Sequence, residues 1–92
     1  MNMNSFRVDI RLNSKSPSVK AYADLHIEFP GGSFTVFGLS VIEKDGKPAW
    51  VAFPSRPGNI PGKYFPVVEA DGDVRRQIAD LVLEKYREAI PV

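Results

Sequence analysis

The stretch from Val19 to Phe29, VKAYADLHIEF, alternates for eleven residues without a break. Val19, Ala21, Ala23, Leu25, Ile27 and Phe29 share one face; Lys20, Tyr22, Asp24, His26 and Glu28 share the other. A helix repeats every 3.6 residues and a strand every two, so this pattern predicts a long strand with one buried face. A shorter copy precedes it: Phe6, Val8, Ile10 and Leu12 point one way, and Arg7, Asp9 and Arg11 the other. Asn13–Ser18, NSKSPS, has the residues of a turn between the two.

Pro30-Gly31-Gly32-Ser33 reverses the chain into a third predicted strand, Phe34–Glu43. Its parity breaks. Phe34 and Val36 fall on one face, while Phe37, Leu39 and Val41 fall on the opposite one. A bulge at Gly38 and burial of both faces each account for this. Asp45-Gly46 marks a hairpin turn flanked by Lys44 and Lys47. A fourth strand, Ala49–Phe53, is apolar on both sides, and a fifth is expected over Lys63–Glu69. Pro66 has no N–H to donate, which places the fifth strand at an edge or a bulge.

Asp71-Gly72-Asp73 offers N-cap residues for a helix running to about Ala89. Val74, Ile78, Leu81, Val82 and Tyr86 recur at helical spacing as its core-facing stripe, widened by Ala79, Leu83 and Ile90. Strands followed by one helix predict an α+β fold: a five-stranded antiparallel sheet with a C-terminal α-helix. One helix covers one sheet face. Strands three and four carry apolar residues on both, which calls for a second covering surface, most simply a second copy of the chain, against the alternative of a bulged strand that rotates those residues inward.

At 92 residues the chain is read as a single domain over residues 1–92. With no cysteine it has no disulfide framework and no thiolate chemistry, which fits a reducing cytoplasm. The first residues, MNMNSFRVDI, lack the basic and apolar regions of a secretory leader, and no apolar run approaches a membrane span. Twelve basic residues against eleven acidic ones give a net charge of +1, so any binding to nucleic acid must come from where the charges sit.

They sit well in one place. Trp50–Tyr64, WVAFPSRPGNIPGKY, leads a strand into a loop stiffened by prolines and glycines that carries Ser55, Arg56 and Lys63 and no acid. Arg56 offers a planar fork for phosphate oxygens, Lys63 a point charge and Ser55 a hydroxyl donor; the bland alternative is a pair of solvated loop cations. Arg75 and Arg76 lie in the first helical turn, where cations oppose the helix dipole. Attraction for an external phosphate is the functional reading for Arg75; for Arg76 the simpler account is pairing with Asp80 one turn on. Tyr22 beside Lys20 could stack on a base or pack across the sheet.

Other chemistry is poorly supported. Asp24, His26 and Glu28 share a strand face, but at about 6–7 Å spacing they do not converge on a metal, and a solvated face is the better reading. Ser55 has no adjacent base and no nucleophile elbow. There is no dinucleotide or Walker fingerprint. Neither an enzyme, a metal, a cofactor nor a small-molecule substrate is expected.

Asp9-Ile10-Arg11-Leu12, Val51-Ala52-Phe53-Pro54-Ser55-Arg56, Gly62-Lys63-Tyr64 and the helical Ile78–Val82, Leu83 and Tyr86, in this order and spacing, resemble the SpoVG family of bacterial septation regulators, also called stage V sporulation protein G. The Val-Ala-x-Pro-Ser-basic step is the most specific element. The resemblance implies a small cytoplasmic homodimer that binds DNA, and in some members RNA, in septation, sporulation or gene regulation. It places Arg56 at a basic position after the Pro-Ser step and Arg75 at a family arginine. In family members a second basic residue usually follows that position; here it is Pro57. The expected function is therefore a homodimeric nucleic-acid-binding regulator using Ser55, Arg56, Lys63 and Arg75; the alternative is a protein-interaction module that keeps the fold without that binding.

Overall fold

The computed structural model describes residues 6–90. The chain runs β1 (Phe6–Leu12), β2 (Val19–Phe29), β3 (Gly32–Ile42), β4 (Trp50–Ala52), β5 (Ser55–Pro57), β6 (Tyr64–Pro66) and α1 (Gly72–Ala89). The first four strands form an antiparallel sheet in sequence order, with Val8 opposite Leu25 and Ile10 opposite Ala23. The alternation of β1 and β2 thus puts their apolar residues on a common face. There Val8, Ala21, Ala23, Leu25, Val36, Leu39, Val41 and Val51 meet Ile78, Val82 and Tyr86 of α1 in one core.

The architecture is α+β with antiparallel pairing, but the main sheet has four strands, not five. The fifth expected strand leaves it. Pro54 follows β4 closely and cannot extend a ladder, and the chain turns away after Ala52. Ser55–Pro57, read as loop, then pairs with Tyr64–Pro66 as a separate hairpin. The Gly58 N–H donates to the Lys63 carbonyl at 2.8 Å, and the Val67 N–H to the Pro54 carbonyl at 3.0 Å. Every residue of β5 and β6 is exposed. The radius of gyration is 14.0 Å, where a compact chain of this length would have about 12 Å. A projecting arm accounts for the excess.

The parity break in β3 is a bulge. Ala23 pairs with Leu39 and Leu25 with Val36, so Asp24 alone faces both Phe37 and Gly38. Gly38 takes φ 83, a region where a side chain is strained. The extra residue lets Val36 and Leu39 both turn into the core, at 9% and 0% exposure. Phe37 is turned out, at 69%.

Asp24 holds the bulge together. Its carboxylate accepts from the Arg11 guanidinium and, at 3.2 Å, from the Gly38 N–H. The Arg11 hydrogen bond holds the Asp24 carboxyl below the usual carboxylate range; burial pushes the other way and the Gly38 N–H adds to the lowering.

The helix starts at Asp71, whose side chain makes no capping hydrogen bond. Ile78, Val82 and Tyr86 are its buried residues. Val74, expected in that stripe, is 40% exposed, because the chain enters the helix at the end of the sheet. There Val74 lines an apolar groove of about 200 Å³ with Phe6, Ile27, Phe34 and Val68. At the other end the Tyr86 hydroxyl donates to Glu43 Oε1 at 3.2 Å. Among the described residues, no helix is long and apolar enough to cross a membrane.

Candidate nucleic-acid interface

The arm puts the predicted loop residues into a defined geometry. Arg56 pairs across the hairpin with Phe65, and Ser55 with Pro66. Lys63 enters β6 directly, and its N–H donates to the Ile60 carbonyl at 3.1 Å. Phe65 lies against Gly58, where any side chain would collide with its ring. The hairpin is therefore braced by one aromatic packed on a glycine, and by prolines that fix φ along both strands.

Arg75 joins this group from the helix. Its guanidinium sits over the Phe53 ring, 4.6 Å from the centroid, and Phe53 is two residues before Ser55. The stacking anchors Arg75 at the root of the arm. It also offsets the unfavourable position of a cation in the first helical turn, by about 0.5–1 kcal/mol at an exposed site. All four predicted residues, Ser55, Arg56, Lys63 and Arg75, are exposed. Among the described residues none of the three cations takes part in an ion pair. The pairing of Arg76 with Asp80 is not formed either; the ion pair along the helix joins Lys85 to Glu88 at 3.9 Å.

The sheet face away from the helix has two halves. At one end the charged residues neutralise each other. His26 lies 2.8 Å from Asp9 Oδ2 through Nε2 and 2.9 Å from Thr35 Oγ1 through Nδ1. Arg7 reaches Asp9 and Glu28 at 3.9 and 4.0 Å, and Arg11 holds Asp24. The strand-two carboxylates and histidine are thus occupied by strand-one and strand-three partners. Among the described residues no cluster of histidine, cysteine or carboxylate could hold a metal ion.

Toward the other end of that face exposed aromatic rings predominate, beginning with Tyr22, which stands opposite Arg11. Tyr22 and Ala52 flank Ser40 in one row, and Trp50 stands opposite Ile42 in the next. Tyr22, Phe37 and Trp50 are 38%, 69% and 52% exposed. The signal for this patch was partly visible as two-sided apolarity in strands three and four; Phe37 could be placed in it only once the bulge was known.

No curated protein and no solved structure matches the chain. A family model for SpoVG matches residues 3–88, nearly its whole length, and the chain belongs to the SpoVG family.

Proposed function

We propose that this chain is a non-enzymatic, homodimeric nucleic-acid-binding regulator of the SpoVG type, working in the cytoplasm on septation, sporulation or gene expression. The observation that carries the reading is the arm. No acidic residue occurs between Asp45 and Glu69, and the hairpin in that interval holds Arg56 and Lys63 away from the body, with Arg75 at its root. The hairpin thus carries a local charge of +2, from Arg56 and Lys63, in a chain whose net charge is only +1. Phosphate contacts of this kind supply affinity and position; they do not read bases.

A dimer through the apolar half of the open sheet face would cover Tyr22, Phe37 and Trp50 and give the assembly two arms. Bivalence then raises apparent affinity without further charge per chain. Trp50 is the single tryptophan and reports the pairing directly. Its emission should shift to the blue as concentration rises through the dimer dissociation constant, and Phe37→Ser should abolish the shift.

The binding test is a salt titration against short DNA and RNA. Affinity should fall steeply with salt, and Arg56→Ala and Lys63→Ala should each reduce the log–log slope by roughly one. A wild-type protein that binds neither nucleic acid at low salt refutes the reading. The mixed charge of the helix, with Lys85 paired to Glu88, then favours the protein-interaction module.

A further inference from the structure

We infer that Tyr64 is a stacking residue for an unpaired base, making the arm a reader of single-stranded nucleic acid. The inference deepens the proposed function and rests on it. The two faces of the hairpin are used differently. On one face Phe65, opposite Arg56, is packed on Gly58 and holds the arm's shape. On the other, Tyr64 lies opposite Pro57, and Pro66 follows two residues on. The Tyr64 ring is 67% exposed.

Three properties make it a base platform. A tyrosine ring offers a flat aromatic surface, and every base has a π-face to match it. Lys63 precedes Tyr64 and Arg56 lies on the pairing strand, both on the Phe65 face of a hairpin only two strands wide, so phosphates held by these long side chains at its edge leave the base free to fold over onto the Tyr64 ring. The prolines at 54, 57, 61 and 66 restrain the loop before binding, so little ordering cost falls on the complex. Bases in a duplex hide their faces in the stack, so a ring on a rigid arm discriminates in favour of unpaired ones. Charge complementarity selects a polyanion over an apolar peptide, since no carboxylate lies on the arm.

The experiment measures binding of the full chain to a fluorescent single-stranded oligonucleotide, in DNA and RNA versions, and to the corresponding duplexes. Tyr64→Ala should weaken single-strand binding roughly 5- to 150-fold, the range that one base–aromatic stack supplies. It should change duplex binding less than about twofold and leave the salt slope unchanged, because no phosphate contact is lost. Tyr64→Phe should retain wild-type single-strand affinity. Arg56→Ala should weaken both ligands and flatten the slope. Equal losses on single strand and duplex, or none on either, overturn the role of Tyr64 while leaving an electrostatic nucleic-acid binder standing. Wild-type protein that binds duplex but not single strand overturns it in the same way. Binding to no nucleic acid at all overturns the proposed function and this inference together.

Discussion

Removing Gly38 tests whether one inserted residue sets the register of the whole second half of β3. Without it, Asp24 would face a single residue, and the two ends of the strand could not both present apolar side chains to the helix. One outcome turns Leu39 and Val41 outward. Both are fully buried, and at about 1.5–3 kcal/mol for each such side chain the loss is about 3–6 kcal/mol. The other outcome turns Val36 outward, for about 1.5–3 kcal/mol. It also deprives the Asp24 carboxylate of its N–H donor, adding about 1–3 kcal/mol. Either is a large share of the roughly 5–14 kcal/mol expected for a chain of this size. Gly38→Ala is the control. Beyond its two chain neighbours no heavy atom of the described residues lies within 4 Å of the added Cβ, so its cost is backbone strain, about 1–2 kcal/mol. Urea unfolding followed by circular dichroism reads both. With a slope near 2 kcal/mol per molar, Gly38→Ala should lower the midpoint by about 0.5–1 M and the deletion by about 1.5–3 M. A deletion variant that unfolds at the wild-type midpoint would show that register is set elsewhere and that the bulge is incidental.

Three further outcomes follow from the same contacts. Asp24 has a folded-state pKa below its unfolded one, so its contribution is complete above the unfolded value, near 3.9, and fades as pH falls through the folded one; Asp24→Asn should be less stable than wild type at pH 7, with the gap narrowing below pH 4 in parallel urea titrations. Tyr86→Phe removes the hydroxyl bonded to Glu43 and should cost about 1 kcal/mol with no change in fold, read as a lower thermal midpoint. Val82→Ala empties a fully buried site under the sheet and should cost about 2–4 kcal/mol, enough to show in the urea midpoint; an effect below about 1 kcal/mol would mean that the helix is not seated as described.

Strict alternation made β1 and β2 readable, because two-residue periodicity has a single structural solution when one face is buried. The helix was readable from Ile78, Val82 and Tyr86 for the same reason at a different period. Val74 was misassigned because spacing tells which side of a helix a residue occupies, not how far along the helix the sheet continues. The third strand left two accounts open, and Asp24 decided between them: its hydrogen bond to the Gly38 N–H depends on a cross-strand register that local pattern does not contain. The small hairpin was missed on one side because Ser55-Arg56-Pro57 has neither alternation nor β-branched residues, and its pairing comes from backbone bonds closed around Gly58. Ser55, Arg56 and Lys63 could be found as a cationic loop from composition alone. That Arg75 belongs with them depends on its stacking over Phe53, a contact between segments 22 residues apart in sequence.

The helix is tied to the sheet at both of its ends, through Arg75 on Phe53 just after β4 and Tyr86 on Glu43 just after β3. Between these points lies the shortest strand of the main sheet, and from that strand's far end the arm departs. The helix therefore braces the shoulder from which the arm projects, so the first helical turn and the base of the arm share one fixed contact in Arg75 and Phe53.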